Sequence, residues 1–229
     1  MAAIDAIAFD LDGTLINSVP DVRAAINRLL VSEGRSEISL EQTLSLVGQG
    51  ARVMMEQAMA LGGGALVGGA PPPDALDRMV ETYIGFYQRH PADLTTVYPG
   101  VVEVLESLAA RGIPMAICSN KPFVMTKLVL KTLGLDRYFA AVTGGDNVPH
   151  RKPDGRHVTH TLELLGGRHA HAVMVGDSET DVAAGKDAGL PVIAVTYGYA
   201  HVPVTELGAD VLIDRFSDLP DALDALAGA

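Results

Sequence analysis

The chain has 229 residues, of which 48% are hydrophobic and 20% charged, which suits one large domain or a core with a smaller insert. A formal net charge of -11 argues against sequence-independent nucleic-acid binding, which needs clustered Lys and Arg. The single cysteine, Cys118, excludes an internal disulfide framework and is typical of a reducing compartment. No signal peptide and no apolar run of membrane-spanning length is recognisable, so we expect a cytoplasmic protein without a membrane partner.

The first predicted element is a short apolar strand at residues 4–9, which runs directly into two carboxylates, Asp10 and Asp12. Paired acids at the end of a strand are compatible with an exposed turn, with a helix cap or with a functional site. The pair alone does not distinguish these, and the distinction depends on the loops that follow the other strands.

Residues from about 16 to 92 are predicted to be almost wholly helical. Apolar side chains recur there at helical spacing, and Pro20 suits the first turn of a helix. The Gly- and Pro-rich stretch at 61–73 is the most loop-like part of the chain, and its role is open. The predicted helices cover 20–33, 41–60 with a break at VGQG, and 74–89.

Strands and helices alternate after residue 98, and the predicted strands are apolar on both faces. This pattern is typical of a parallel sheet covered by helices on both sides. We predict an α/β fold with a doubly wound, Rossmann-like parallel-sheet core (1–15 and 93–229) and an inserted α-helical cap (16–92). The predicted helices of the core cover 101–111, 122–133, 154–165, 179–188 and a last one from about 217.

Polar side chains follow four of the predicted strands. Ligands of an open parallel sheet bind beyond the carboxyl ends of the strands at a topological switch point, so we expect these loops to converge on one crevice. The residues are Asp10, Asp12, Gly13 and Thr14 after the first strand, Ser119, Asn120 and Lys121 after MAIC, Lys152 after AAVTGG, and Asp177, Ser178 and Asp181 after AVMV.

Several carboxylates in one crevice repel each other unless a cation joins them. Hard oxygen ligands favour Mg2+, which often binds one or two carboxylates together with a phosphate. Lysine, hydroxyl and backbone N–H groups suit phosphate oxygens. One carboxylate can attack phosphorus as a nucleophile while a second acts as general acid and base. The residues therefore indicate Mg2+-dependent phosphoryl chemistry shared between Asp10 and Asp12.

Four motifs, DLDGTL, SNKP, the Lys152–Pro153 loop and VGDSETDVAAGKDAG, resemble those of the haloacid dehalogenase superfamily in this order. The resemblance covers essentially the whole chain and implies a role for each matching residue. Asp10 is then the nucleophile and a Mg2+ ligand, and Asp12 is the acid/base with its backbone carbonyl on the metal. The other implied roles are phosphate binding for Gly13, Thr14, Ser119, Asn120 and Lys121, orientation of the nucleophile for Lys152, metal ligation for Asp177, and support for Asp181 and Ser178.

The segments VGQG, YPGV, SNKP, GGDNVPHRKP and TYGY resemble bacterial phosphoglycolate phosphatases, which carry a helical cap where the helical block lies here. This resemblance implies hydrolysis of a small phosphorylated metabolite, 2-phosphoglycolate, through a phospho-aspartate. Another phosphatase, a pyrophosphatase or a sugar-phosphate mutase of the same superfamily remains open. So does a non-catalytic phospho-acceptor or binding protein, and the oligomeric state is open as well.

The segment VGQGAR at 47–52 is either a helix break or a substrate loop. It follows no apolar strand and lacks the GK[ST] of a P-loop, which argues against nucleotide binding. We expect Gln49, Gly50 and Arg52 to face the non-phosphate end of the substrate, with Arg52 pairing a substrate carboxylate.

Some positions have a structural interpretation beside the functional one. Asn17 stands where the resembled family more often has an acid, and Asp181 at a helix start could serve only as a cap. His157 and His160 lie three apart on a predicted helix without a convincing third ligand, so we expect solvent-facing side chains. Cys118 is expected to be a small buried side chain rather than a reactive thiol.

Overall fold

The structure, a computed structural model, describes residues 3–62, 73–166 and 169–228. Most of the Gly- and Pro-rich stretch at 61–73, whose role the sequence left open, lies outside these residues. Within the described ranges, none of the helices combines the length with the apolar character that crossing a membrane requires.

The described residues form eight strands and nine α-helices. The strands are β1 (Ala6–Phe9), β2 (Ile16–Asn17), β3 (Thr96–Val97), β4 (Met115–Cys118), β5 (Ala141–Thr143), β6 (Ala172–Gly176), β7 (Val192–Val195) and β8 (Val211–Ile213). The helices are α1 (Val19–Ser32), α2 (Leu40–Leu44), α3 (Ala51–Leu61), α4 (Pro73–Arg89), α5 (Val101–Ala110), α6 (Phe123–Thr132), α7 (Gly155–Glu163), α8 (Glu179–Asp187) and α9 (Leu219–Gly228).

Six of the strands form one sheet in the order β5-β4-β1-β6-β7-β8, and every neighbouring pair is parallel. The chain leaves β1 towards β4 on one side and leaves β6 towards β7 on the other. The adjacent ends of β1 and β6 are therefore the topological switch point, where a ligand site is expected. The predicted α/β fold with a doubly wound parallel sheet is confirmed.

Strand β1 is buried on both faces because helices cover both sides of the sheet. Ile7 and Phe9 point into the larger apolar cluster, whereas Ala6 and Ala8 point into a smaller cluster formed with α7 and α8. The small alanine side chains leave room for α7 to pack closely on the strand. This alternation explains why β1 is apolar at every position rather than at every second one.

Helices α1 to α4, here called the helical group, connect to the sheet through a short antiparallel ribbon. Ile16 and Asn17 of β2 pair with Val97 and Thr96 of β3. The prediction of an almost wholly helical segment from about residue 16 was wrong at this point, because a two-residue strand leaves no periodic signal and its partner is remote in sequence. The division into 1–15 with 93–229 and 16–92 stays a prediction.

Candidate active site

The four predicted loops meet beyond the carboxyl ends of β1, β4, β5 and β6. They surround a cleft with about 620 Å³ of empty space, its open mouth included. Gly13, Thr14 and Asp181 are not part of the cleft wall but support residues that are. The predicted residues that line the cleft are Asp10, Asp12, Gly50, Ser119, Asn120, Lys121, Lys152, Asp177 and Ser178.

Lys152 joins two buried carboxylates. Its Nζ lies 2.8 Å from Oδ1 of Asp10 and 2.6 Å from Oδ1 of Asp181, and its side chain is only 2% exposed. The N–H of Asp10 still donates to the carbonyl of Val175 in β6, so the carboxyl group is held at the switch point. Burial raises the pKa of Asp10 to about 7, although the Lys152 charge opposes this. Burial opposes the charged form of Lys152, yet Asp10 and Asp181 raise its pKa.

Asp177 follows β6 and is held from two sides. Its Oδ1 accepts a hydrogen bond from Oγ1 of Thr14 (2.9 Å), and its Oδ2 accepts one from the N–H of Tyr199 (2.6 Å). Gly13 has a φ of +91°, and a Cβ at this position would lie 2.3 Å from Oδ2 of Asp177. Only glycine therefore allows the first turn to approach this carboxylate so closely.

Asp10, Asp177 and Asp181 bring carboxylate oxygens within 4.8 Å of one another. Burial, followed by the charges of Asp181 and Asp10, raises the pKa of Asp177 well above its usual range. Both oxygens of Asp181 are engaged, Oδ1 by Lys152 and Oδ2 by the hydroxyl and N–H of Ser178. Asp10 and Asp177 line the cleft whereas Asp181 does not, so these two are the better candidate ligands, and this hard, negatively charged donor set fits Mg2+.

The side chain of Asp12 is engaged by groups other than this cluster. Both of its carboxylate oxygens lie 3.0 Å from Nζ of Lys121, and the Ser18 hydroxyl donates to Oδ1. The Lys121 ammonium in turn lies 4.6 Å from the centre of the Tyr87 ring in α4. Asp12 is thereby connected, through Lys121, to the helical group.

Ser119 and Asn120 follow β4 at the floor of the cleft. The N–H of Lys121 donates to Oγ of Ser119 at 3.2 Å. The amide nitrogen of Asn120 donates to the carbonyls of Gly48 (3.1 Å) and Lys152 (2.9 Å), which links the VGQG segment to the lysine loop. Its buried Oδ1 has no partner among the described residues.

Only one of the three residues predicted to face the substrate from VGQGAR lies on the cleft. Gly50 lines it, whereas the Gln49 side chain contacts Gln57 and is exposed. Arg52 pairs with Asp77 of α4 outside the cleft, with 49% of its side chain exposed. The phase of α3 explains this placement, because Ala51 faces the cleft and the next residue points away.

Two tyrosines of the cleft were missed by the sequence reasoning. Tyr83 of α4 lines the cleft, but its sequence position is only one apolar position of a helix. Tyr199 also lines it, donates through its hydroxyl to Oδ1 of Asn17 (2.9 Å) and accepts from the N–H of Ser18 (3.1 Å). Tyr199 lies in TYGY, so the signal was present but carried no assigned role. Asn17 serves as the acceptor that fixes this ring.

The structure tests the expected burial of Cys118 and the expected exposure of His157 and His160, with different outcomes. Cys118 is buried, as expected, and burial raises its pKa to about 11. His157 was expected to face solvent, and this was wrong, since its exposed fraction is 0%. The side chain of His160, on the same helix, is 44% exposed.

The family model of the haloacid dehalogenase-like hydrolases matches residues 4–189 of this chain. The phosphoglycolate phosphatase of Agrobacterium fabrum is 41% identical over 215 residues, 94% of this chain and 90% of that protein. That of Caulobacter vibrioides is 38% identical over 216 residues, 94% of this chain and 89% of that protein. A crystal structure of a predicted phosphoglycolate phosphatase from Haemophilus somnus has a TM-score of 0.89 at 29% identity, covering 97% of this chain and 99% of that chain.

The fold and the cleft at its switch point therefore define an enzyme with an acidic, lysine-containing site. The chain belongs to the haloacid dehalogenase-like hydrolase family. The resemblance drawn from the four motifs is confirmed.

Proposed function

We propose that this hydrolase is a Mg2+-dependent phosphatase that converts 2-phosphoglycolate to glycolate and phosphate through a phospho-aspartate. The observation that carries the proposal is the Lys152 ammonium between Asp10 and Asp181, beside Asp177, at the switch point of the sheet. The names of the relatives, which are 41% and 38% identical over most of the chain, support the phosphate monoester and the particular substrate.

The charges around the cleft support a bound cation. When all are ionised, the carboxylates outnumber the lysines by two, so two negative charges remain to be balanced by a divalent ion. The side chains of Asp10 and Asp177 and the backbone carbonyl of Asp12 would hold Mg2+, which supplies charge stabilisation to the phosphoryl oxygens when bound. The groups in this balance are Asp10, Asp12, Asp177, Asp181, Lys121 and Lys152.

The residues of the chain divide the reaction between them. The Asp10 carboxylate attacks phosphorus, and the bond from phosphorus to the leaving oxygen breaks as the phospho-aspartate forms. Lys152 favours the ionised form of Asp10 against the effect of burial, and orients it. Asp12 takes up a proton from solvent when it leaves Lys121, gives that proton to the leaving oxygen, and then takes one from the water that cleaves the phospho-aspartate. For these steps the Asp12 carboxyl exchanges its contact with Lys121 for the substrate.

The helical group contributes side chains to the wall of the cleft, which supports the proposal that it is a cap. Val47, Met54 and Tyr83 supply an apolar wall opposite the carboxylates. We assign residues 16–92 to this cap and 1–15 with 93–229 to the catalytic core, which the ribbon of β2 and β3 supports. An apolar wall excludes bulk water from the phospho-aspartate and limits the cleft to a small ester.

Phosphate release from a panel of small esters, measured with Mg2+ and with a chelator, tests this proposal. We expect Mg2+-dependent release selective for 2-phosphoglycolate, and its loss in Asp10→Asn. The control Asp136→Asn changes an exposed acid of the core and is expected to retain activity. Activity spread evenly over the esters would contradict 2-phosphoglycolate as the substrate. No phosphate release from any ester would contradict the proposed phosphatase activity.

A further inference from the structure

His157 is a buried titratable side chain that the proposed reaction does not use. It lies in the first turn of α7, five residues after Lys152, and its exposed fraction is 0%. A buried imidazole needs partners for both ring nitrogens, because an unpaired polar atom in the interior is unfavourable. Its partners show which protonation state this site accepts.

The two ring nitrogens face groups of opposite character. Nδ1 lies 3.3 Å from the main-chain nitrogen of Lys152, and Nε2 lies 3.0 Å from Oγ1 of Thr143 at the end of β5. A main-chain N–H can only donate, so Nδ1 has to be the acceptor and carries no proton. Nε2 then carries the proton and donates to Thr143, which is the neutral imidazole.

The hydroxyl groups beyond the ring fit this direction. The Oγ1 atoms of Thr143 and Thr161 lie 2.6 Å apart. Thr161 donates its proton to the main-chain carbonyl of His157 at 2.8 Å, so we assign Thr143 as the donor between the two hydroxyls. The Thr143 hydroxyl also lies 3.2 Å from the carbonyl of Ile117, which shares its proton. Every donor in this series of hydrogen bonds, from the Lys152 N–H to the Thr161 hydroxyl, therefore has an acceptor. The orientation of the imidazole ring is fixed from both sides.

Both main-chain polar groups of Lys152 are anchored by buried side chains. His157 accepts from its N–H, and the Asn120 amide donates to its carbonyl at 2.9 Å. The backbone at this loop residue is thus held from two sides, and its side chain alone extends to Asp10 and Asp181.

We propose that neutral His157 is a positioning residue, which holds the backbone of Lys152 so that the ammonium stays between Asp10 and Asp181. The inference rests on the proposed function, in which Lys152 orients the nucleophile. Misplacement of a catalytic group by about 1 Å can lower a rate by roughly 100-fold, so a fixed backbone matters for the reaction.

Two substitutions separate the two hydrogen bonds of the ring. Asn places its Oδ1 near the position of Nδ1, so His157→Asn keeps the acceptor for Lys152 and loses the bond to Thr143. Gln places its Nε2 near the position of the ring Nε2, so His157→Gln keeps the bond to Thr143 and loses the acceptor. Each variant loses one buried hydrogen bond, which makes them matched controls for a merely structural role.

We expect His157→Gln to lower kcat about 10- to 100-fold with little change in KM, and His157→Asn to stay within a few-fold of wild type. The rate is measured with whichever ester the wild-type enzyme hydrolyses best. Equal kcat values in the two variants, or wild-type kcat in His157→Gln, would overturn the positioning role.

A crystal structure of each variant gives a readout that does not depend on activity. We expect the Nζ of Lys152 to move away from Asp10 by about 1 Å in His157→Gln and to keep its place in His157→Asn. If either variant does not fold, long-range 1H–15N correlations of the wild-type His157 imidazole test the inference instead of the crystal structures. These correlations show which ring nitrogen carries the proton, and a proton on Nδ1 would overturn the inference. An inactive wild-type enzyme would contradict the proposed phosphatase activity. A Lys152 side chain that keeps its place in His157→Gln would contradict the positioning role of His157.

Discussion

The ammonium of Lys152 lies 2.8 Å from the carboxylate of Asp10, and both groups are buried. Lys152 is 142 positions later in the sequence, and the two meet only because the loops after β1 and β5 converge at one edge of the sheet. The proposed attack of Asp10 on phosphorus requires this pair to be ionised, since a protonated carboxyl group is a poor nucleophile.

Removing this ammonium leaves the carboxylates uncompensated. We expect Lys152→Met to lower kcat by about 100- to 1,000-fold, because a positioned charge next to the reacting group is lost. We also expect a loss of about 3–5 kcal/mol in the free energy of unfolding without Mg2+, since the buried carboxylates lose their partner. Steady-state kinetics and chemical denaturation measure the two effects. Lys131→Met, which removes an exposed lysine of α6, should change neither, and equal effects of the two substitutions would refute the special role of Lys152.

Gly13 is required for two possible reasons, its close approach to Asp177 and its positive φ, and a comparison with Gly34 separates their effects. Gly13 and Gly34 both have positive φ values, +91° and +68°, but only at Gly13 would a Cβ meet a neighbour, Oδ2 of Asp177 at 2.3 Å. Gly34→Ala should cost about 1–2 kcal/mol of strain and keep full activity. Gly13→Ala should cost more and abolish Mg2+-dependent turnover, because Asp177 is displaced.

Chemical denaturation and phosphate release distinguish the two glycine variants. If Gly13→Ala and Gly34→Ala lose equal stability and both remain active, the contact with Asp177 is not what requires glycine at this turn.

His157 should make the free energy of unfolding fall in acid. Burial, then the charges of Lys152 and His160, lower its pKa in the folded protein from 6.5 to about 3, opposed by Asp154 and Asp181. Between these values the unfolded chain binds more protons, so stability rises with pH by up to about 1.4 kcal/mol per pH unit. The contribution is complete above pH 6.5 and is lost progressively as the pH falls towards 3.

The difference between wild type and His157→Asn isolates this dependence. Asp10, whose pKa is raised to about 7, acts in the opposite sense and cancels in the difference. Urea denaturation between pH 4 and pH 7.5, roughly the window over which His157 titrates on unfolding, measures it. His171→Asn, at an exposed position that does not act on His157, should follow the wild-type curve. If the free energy of unfolding of His157→Asn depends on pH as steeply as that of the wild type, another group is responsible for the loss of stability in acid.

Arg52 tests two interpretations of the VGQGAR segment. If Arg52 paired a substrate carboxylate, Arg52→Ala would raise the KM for 2-phosphoglycolate. Its observed pairing with the exposed Asp77 outside the cleft leads us to expect an unchanged KM and little loss of stability. Lys121→Met, which removes a cation that lines the cleft, is expected to raise KM or lower kcat. A raised KM in Arg52→Ala would show that the side chain turns towards the substrate during turnover.

The sequence by itself determined the sheet and the loops that form the site. Strands apolar on both faces, separated by helical patterns, predict a parallel sheet covered by helices, and the order of the polar residues places Asp10, Lys152 and Asp177 in the loops that follow strands. These are local signals, because side-chain periodicity reports the environment of an element without reference to its partners. The limits of most helices were therefore predicted to within a few residues.

Only the tertiary structure decided which side chains meet. The pairing of Ile16 with Val97, the contact of Asp12 with Lys121, and the orientation of Arg52 towards α4 all join segments that are remote in sequence. His157 shows the same limit, since a single histidine on a helix is equally compatible with a solvated face and with a buried one. Its burial depends on how α7 packs against the sheet, and that packing is set by the sum of many non-local contacts rather than by any pattern along the chain.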